Sequence, residues 1–285
     1  MLPERLHYFQ RSNWSRTRWT RCCSSGTLSS LSGFDLELVR ARLSVAEIPW
    51  VLHYEAACDS TQDVARLAAE RGADQGWTIV TDLQRAGRGR QGRSWVAPAG
   101  EALLFSTILR PPIDVLPLLP LLAAVTVAGG IEVSTAAVAD LKWPNDVLLN
   151  GKKLAGILLE RPAGASVVLG VGINVNQQAE DVPETGTSLR VELGHPVERE
   201  AMLAAILNDL ANAYDRADRE GVGWIVPAWR SRSAMLGTPV TFRRDGETVR
   251  GVADDIANDG ALLIRMPDGS RVPIVAGEVE QIRPA

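Results

Sequence analysis

Apolar positions recur at nearly helical spacing in Asp35-Leu-Glu-Leu-Val-Arg-Ala-Arg-Leu, where Asp35 is placed to cap a helix that Pro49 brings to an end. Trp50-Val-Leu-His-Tyr-Glu then reads as a strand. Ser60 to Gly72 predicts a helix: Ser60 or Thr61 caps it, Ala and Leu fill it, and Gly72 ends it. Thr78–Thr81 and Ala102–Leu109 predict strands, and between them Gln84 to Arg93 has no periodicity. Val115 to Ile131 is apolar but holds two prolines and two glycines, which predicts a buried helix with an entry turn. No apolar run is expected to reach the roughly 20 residues of a membrane-spanning helix.

Ala139-Asp-Leu-Lys-Trp-Pro is followed by two apolar runs joined by Asn150-Gly151, a strong hairpin signal. Val167-Val-Leu-Gly-Val-Gly-Ile-Asn-Val-Asn reads as another strand, and Glu200 to Arg219 as a long amphipathic helix. After a break near Leu236–Gly237 come short strands at Val240, Thr248, Ala261 and Arg271, separated by Asp245-Gly246, Asp259-Gly260 and Asp268-Gly269. Such spacing predicts a small antiparallel barrel. The expected layout is a poorly ordered extension over 1–34, a mixed α/β domain over 35–233 and a small β domain over 234–285, with no internal repeat.

The composition, 285 residues with 46% hydrophobic and 22% charged, is that of an ordinary globular protein. The net charge of −4 is unevenly spread. Residues 1–33 hold five arginines against Glu4, giving +4 and leaving −8 on the rest. An acidic body argues against a general nucleic-acid binder. The Arg- and Ser-rich start resembles an organellar transit peptide, but an upstream start codon or a plain disordered extension is the preferred reading. Cys22, Cys23 and Cys58 form neither a disulfide framework nor a metal-type spacing, so a reducing cytoplasm is the expected location. His7, His53 and His195 are scattered and are read as structural or solvated.

Three segments carry candidate chemistry. Gly87-Arg-Gly-Arg-Gln-Gly-Arg93 offers close backbone approach and fixed positive charge, suited to a carboxylate or phosphate. It is too short and too enclosed by strands for an RGG-type segment, and it lacks the ending of a Walker loop. It is expected to be mobile when empty. In Lys142-Trp-Pro-Asn-Asp146 the proline ends the strand and leaves an amide and a carboxylate at its exit. These suit a base edge and a magnesium ion, or simply form a turn. Lys153-Leu-Ala-Gly-Ile opens an apolar strand on a lysine, and spacing alone favours one that snorkels to water. Trp95, one of eight tryptophans, reads by default as core.

Taken together and in order, Ser60-Thr-Gln, Gln84 to Trp95, Lys142 to Asp146, Lys153 to Leu158 and Gly170-Val-Gly-Ile-Asn-Val175 resemble the motif series of biotin–protein ligases, over roughly residues 36–283. The resemblance implies an α+β fold: a mixed sheet with flanking helices like that of class II aminoacyl-tRNA synthetases, then a small SH3-like β-barrel. It implies an enzyme that makes biotinyl-5′-AMP from biotin and ATP. That enzyme passes biotin to a lysine of the carrier domain of a biotin-dependent carboxylase, with Mg²⁺ accompanying ATP and biotin as a substrate.

By the same resemblance, Ser60, Thr61 and Gln62 meet biotin's ureido ring, and Gln84 is a biotin-pocket residue. Arg88, Gly89 and Arg90 fold over biotin and the adenylate phosphate. Lys153 contacts biotin's carboxylate and the α-phosphate, and Gly156 lines the pocket. Trp95 and Asn145 serve adenine, Arg93 a phosphate, and Asp146 the phosphates and metal. Lys153, Arg90 and Arg88 are thus the expected catalytic groups, and the spacing-based readings of Lys153 and Trp95 are reversed.

The sequence departs from the family at Gln62, where many relatives have Asn, and at Pro98-Ala-Gly-Glu-Ala-Leu-Leu-Phe, which matches only loosely. The short stretch before the catalytic domain shows no helix-turn-helix pattern, so a monofunctional ligase without DNA binding is expected, as monomer or homodimer and off the membrane. The rivals are a lipoate–protein ligase, an RGG-type nucleic-acid binder and a non-catalytic biotin sensor.

Overall fold

The computed structural model describes residues 33–44, 48–162, 164–244, 247–275 and 279–281. The expectations for residues 1–32, including Cys22, Cys23 and His7, and for the Asp245-Gly246 turn lie outside the described residues.

The first described residues already belong to the fold. Phe34, assigned by sequence to the extension, is buried and stacks on Tyr54 with ring centroids 6.4 Å apart. Helix α1 (Leu36–Arg40) is capped by the Asp35 carboxylate, which accepts from the Glu37 N–H at 2.8 Å. It ends well before Pro49, because Asn208 captures the chain beyond it. The Asn208 amide donates to the Arg42 carbonyl at 2.9 Å, and its oxygen accepts from the Ser44 N–H at 2.8 Å.

Next come β1 (Val51–Cys58), α2 (Thr61–Glu70), β2 (Trp77–Gln84), β3 (Ala102–Leu109) and α3 (Leu119–Thr135). After them come β4 (Asp140–Lys142), β5 (Asp146–Leu149), β6 (Lys152–Glu160) and β7 (Val167–Asn174). Three helices close this part: α4 (Leu189–Leu193), α5 (Arg199–Glu220) and α6 (Ile225–Arg230). Two of them, α4 and α6, are too short to leave a periodic signature and were not anticipated.

The seven strands form a mixed sheet in the order β1-β2-β3-β7-β6-β5-β4, with β1 and β2 parallel and every other neighbour antiparallel. The β5–β6 hairpin turns on Asn150 at φ 50° and Gly151 at φ 75°, the left-handed pair that Asn-Gly favours. Alternation along the strands separates the two faces of the sheet. Leu103 and Phe105 on β3, and Leu169, Val171 and Ile173 on β7, join the core under α3 and α5. Ile79 and Val168 face the other way, against Ala65 of α2.

Helix α3, with the 3₁₀ turn before it, spans Leu116–Thr135. At 20 residues and a mean hydropathy of 1.8, it is long and apolar enough to cross a membrane, which the sequence reading did not allow. Ten of its residues are buried in the core between the sheet and α5, so its length serves packing.

The remaining strands, β8 (Pro239–Arg244), β9 (Glu247–Ile256), β10 (Leu262–Arg265), β11 (Arg271–Ile274) and β12 (Val279–Gln281), form a small antiparallel sheet in the order β11-β10-β9-β8-β12. The three-residue β12 was not anticipated. This sheet is tied to the larger one. The Trp143 indole N–H donates to the Gly260 carbonyl, in the turn between β9 and β10, at 3.1 Å.

Candidate active site

All thirteen residues named from sequence line one pocket on the α2 face of the large sheet: Ser60, Thr61, Gln62, Gln84, Arg88, Gly89, Arg90, Arg93, Trp95, Asn145, Asp146, Lys153 and Gly156. They come from the N-terminus of α2, the end of β2, the loop after it, and the β5–β6 hairpin. Ser106, Gly170, Gly172, Leu158, Trp143 and Val279 line it as well, and none of these had been given a role.

The floor of the pocket is a sheet surface without side chains. Gly156, Gly170 and Gly172 lie on β6 and β7, with Gly156 and Gly172 directly paired. The Trp95 indole rests there: a Cβ on Gly172 would stand 2.7 Å from Trp95 Cε2, and one on Gly156 3.0 Å from its Cζ3. Glycine is therefore required by the neighbour rather than by backbone angles. The Gly-Val-Gly alternation in an otherwise apolar strand was the available signal for this floor.

At the α2 end the pocket is polar and buried. The Gln84 Oε1 accepts from the Thr61 N–H at 2.8 Å and from the Thr61 hydroxyl at 3.0 Å. The Ser106 hydroxyl lies 2.9 Å from Thr61 Oγ1 and 3.2 Å from Gln62 Oε1, and the Gln62 amide donates to the Val168 carbonyl at 3.2 Å. Ser60, Thr61, Gln62 and Ser106 are all 3% exposed or less. Ser60 occupies the cap position of α2 but makes no cap bond, and among the described residues neither its hydroxyl nor the Trp95 indole N–H has a partner. An unpaired buried donor costs about 1–3 kcal/mol, so both suit a ligand.

The opposite side is charged and half exposed. Lys153 Nζ sits 2.6 Å from Asp146 Oδ1 and 5.9 Å above the Trp95 ring. Arg90 donates to Asn145 Oδ1 at 3.0 Å, while the Asn145 amide donates to the Ile157 carbonyl at 2.8 Å. Asn145 thereby fixes the loop to β6.

The glycine-arginine segment is a small hairpin rather than an irregular loop. Arg88 and Ser94 form an antiparallel bridge, the Gly89 N–H donates to the Arg93 carbonyl at 2.7 Å, and Gln91 turns the tip at φ 55°. Arg88 points to the rim, where its guanidinium bridges Asp63 at 2.7 Å and Glu160 at 2.6 Å.

Val279 of β12 reaches the pocket from the small sheet. No local pattern in the sequence marks it, since its place depends on how the two sheets dock. Among the described residues no three His, Cys, Asp or Glu side chains converge as a metal cluster. Among the described residues, Asp146 is the one carboxylate in the lining. That donor set fits an ion such as Mg²⁺, which takes one or two carboxylates and draws its other ligands from phosphates and water.

Comparisons with known proteins agree with this architecture. The biotin/lipoate A/B protein ligase family matches residues 55–176, and the biotin protein ligase C terminal domain matches residues 235–280. The chain is 35% identical over 277 residues to the bifunctional ligase/repressor BirA of Bacillus spizizenii, covering 87% of this chain and 85% of that protein. It is 36% identical over 241 residues to the biotin–[acetyl-CoA-carboxylase] ligase of Paracoccus denitrificans, covering 79% and 98%. The solved structure of the biotin protein ligase from Aquifex aeolicus in complex with biotin and ATP superposes with a TM-score of 0.72 at 29% identity, over 82% of this chain and 99% of that one.

Proposed function

The chain belongs to the biotin protein ligase family, and from that premise we propose how its pocket joins biotin to protein at the expense of ATP. The observation that carries the reading is the pocket itself. A buried polar end, a glycine floor that carries the Trp95 ring and a cationic end line one pocket, which suits biotin's ring, its aliphatic chain and its carboxylate beside a phosphate.

In the first step, biotin's carboxylate oxygen forms a bond to the α-phosphorus of ATP. The bond from that phosphorus to the bridging oxygen breaks, and pyrophosphate leaves. Two anions must approach, so charge compensation is the main requirement. Lys153 is placed to supply it, and exchanges Asp146 for the ligand's carboxylate and phosphate. Arg90 and Arg88 add charge from the hairpin. Asp146, once released, would hold Mg²⁺, which would supply charge neutralisation at the phosphates. Trp95 and Asn145 serve the adenine, and Arg93 a phosphate.

In the second step, an acceptor lysine amine attacks the acyl carbonyl, the acyl–oxygen bond breaks, AMP leaves and the amine gives up a proton. No covalent enzyme intermediate is needed. The acceptor is read as a carrier domain of a biotin-dependent carboxylase, in keeping with the name of the Paracoccus relative. The test offers labelled biotin or lipoate with ATP and a carrier domain to the purified protein. ATP-dependent transfer of biotin is expected, and transfer of lipoate in its place would overturn the reading.

A further inference from the structure

The segment that carries Gln84, the glycine-arginine hairpin and Trp95 leaves the sheet between β2 and β3, and its neck is irregular. Thr81 opposes Leu104, so a continued ladder would set Leu83 against Ala102. The ladder stops instead. The Leu83 N–H donates to the Thr81 hydroxyl at 3.4 Å, and the Asp82 carbonyl accepts from the Gly100 N–H at 3.0 Å. The Ala102 carbonyl, on a fully buried residue, loses the partner that β2 would have given it. A buried carbonyl needs a donor, and an irregularity of this kind beside a pocket re-aims the chain that follows it.

Arg199, in the first turn of α5, supplies that donor. One of its guanidinium nitrogens donates to the Ala102 carbonyl at 3.1 Å and to Asp82 Oδ1 at 2.7 Å. The other Asp82 oxygen accepts from the Tyr54 hydroxyl at 2.5 Å. The guanidinium also lies 5.3 Å from the centre of the Phe34 ring. The Arg199 and Asp82 side chains are only 11% and 16% exposed, so water has little access to replace either partner. One cation thus holds both sides of the neck, a carboxylate on β2 and an orphaned carbonyl on β3. The backbone bond between Gly100 and Asp82 closes the neck but satisfies neither group. Without the guanidinium, two acceptors remain buried together, one of them charged. They gain relief by moving apart or outward, and that movement carries Gly100 and the segment above it.

We propose that Arg199 is a positioning residue: by clasping the neck, it sets where the hairpin and Trp95 lie over the pocket. The proposal takes biotin and ATP as the ligands from the reading above. Arg199 is not among the residues that line the pocket, so it acts only through the segment it holds. The hairpin arginines and Trp95 serve both ligands in that reading, so loosening the neck weakens both together.

The test compares the full chain with Arg199→Met, Arg199→Lys and, as a control away from the neck, Glu132→Gln. Each protein is melted, assayed for biotin-dependent ATP–pyrophosphate exchange with biotin and ATP varied separately, and treated with trypsin under native conditions. Cleavage after Arg88, Arg90 and Arg93 is followed by mass spectrometry. Arg199→Met is expected to raise KM for biotin and for ATP together by about tenfold and to speed hairpin cleavage by about tenfold. Saturating biotin and ATP are expected to slow that cleavage again. Arg199→Lys keeps the charge but reaches one partner at a time, so it is expected to fall between, and it carries the test if the methionine variant does not fold. Glu132→Gln is expected to lower the melting temperature without moving hairpin cleavage or either KM. Hairpin cleavage and both KM values within about twofold of the control in the Arg199 variants would overturn the proposal and leave the ligase reading intact. A wild-type chain without biotin-dependent exchange would overturn the ligase reading, while the cleavage rates would still decide whether Arg199 holds the hairpin.

Discussion

The two ends of the pocket are built from different materials. At the α2 end, hydroxyls and amides bind one another behind nearly complete burial, and backbone groups fix the direction of both amides. At the β5–β6 end, charged groups bind one another at the surface: Lys153 and Asp146 are 37% and 22% exposed, and Arg88 and Asp63 are 41% and 39%. Buried neutral networks are expensive to disturb and keep one geometry. Exposed ion pairs are worth little and exchange partners readily. In the proposed reaction, the first end is suited to recognising a fixed group and the second to compensating developing charge.

The sharpest break in this contrast is Lys153→Ala. It removes the cation that the proposed adenylation step calls on as charge develops, and is expected to lower ATP–pyrophosphate exchange by about 100-fold or more with little change in melting temperature. Near-normal exchange would remove Lys153 from the adenylation step.

Gly87→Ala comes next. A Cβ there would stand 2.3 Å from the Trp95 carbonyl oxygen, which is backbone and cannot swing aside. The hairpin must open, and exchange is expected to fall about tenfold or more, with KM for both substrates raised. Retained KM values would show that the hairpin does not shape the pocket.

A charged pair away from the pocket sharpens the comparison. Glu132 accepts from both guanidinium nitrogens of Arg232, one at 2.8 Å, which holds its carboxyl below the usual range. A carboxyl depressed in the folded state contributes stability that is present above its unfolded value and lost as pH falls through the folded one. Asp209 nearby behaves oppositely, since burial pushes its carboxyl up. Glu132→Gln is expected to cost about 1–2 kcal/mol at neutral pH and to flatten the acid side of a melting-temperature profile without altering KM. An unchanged profile would show that this pair carries no stability.

The smallest effect belongs to Asp63→Asn. It removes one of two carboxylates from an exposed guanidinium and is expected to change stability by less than about 1 kcal/mol. Its use is in binding: a KM for ATP shifted more than about threefold would show that Arg88 is held at the rim more firmly than exposure suggests.

Much of this was legible in the chain. The Ala102–Leu109 strand, the Asn150-Gly151 hairpin, the long helix ending near Glu220 and the thirteen pocket residues follow from periodicity, turn chemistry and motif resemblance. These are local signals, written within a few residues of one another. The short helices α4 and α6 and the strand β12 were not legible, because elements of three to six residues owe their existence to what they pack against.

The same division holds inside the site. Sequence alone determined which residue types would gather: glycines for close approach, arginines and a lysine for anions, a serine-threonine-glutamine run at a helix start. Only the tertiary structure decided that Ser106 would close the polar chain, that Trp95 would lie on Gly156 and Gly172, and that Val279 would complete a wall from another sheet. The physical reason is distance along the chain. Propensity and turn geometry act between neighbours, while a hydrogen bond from residue 106 to residue 62, or a ring resting on residue 172, exists only after strands far apart in sequence have found their register.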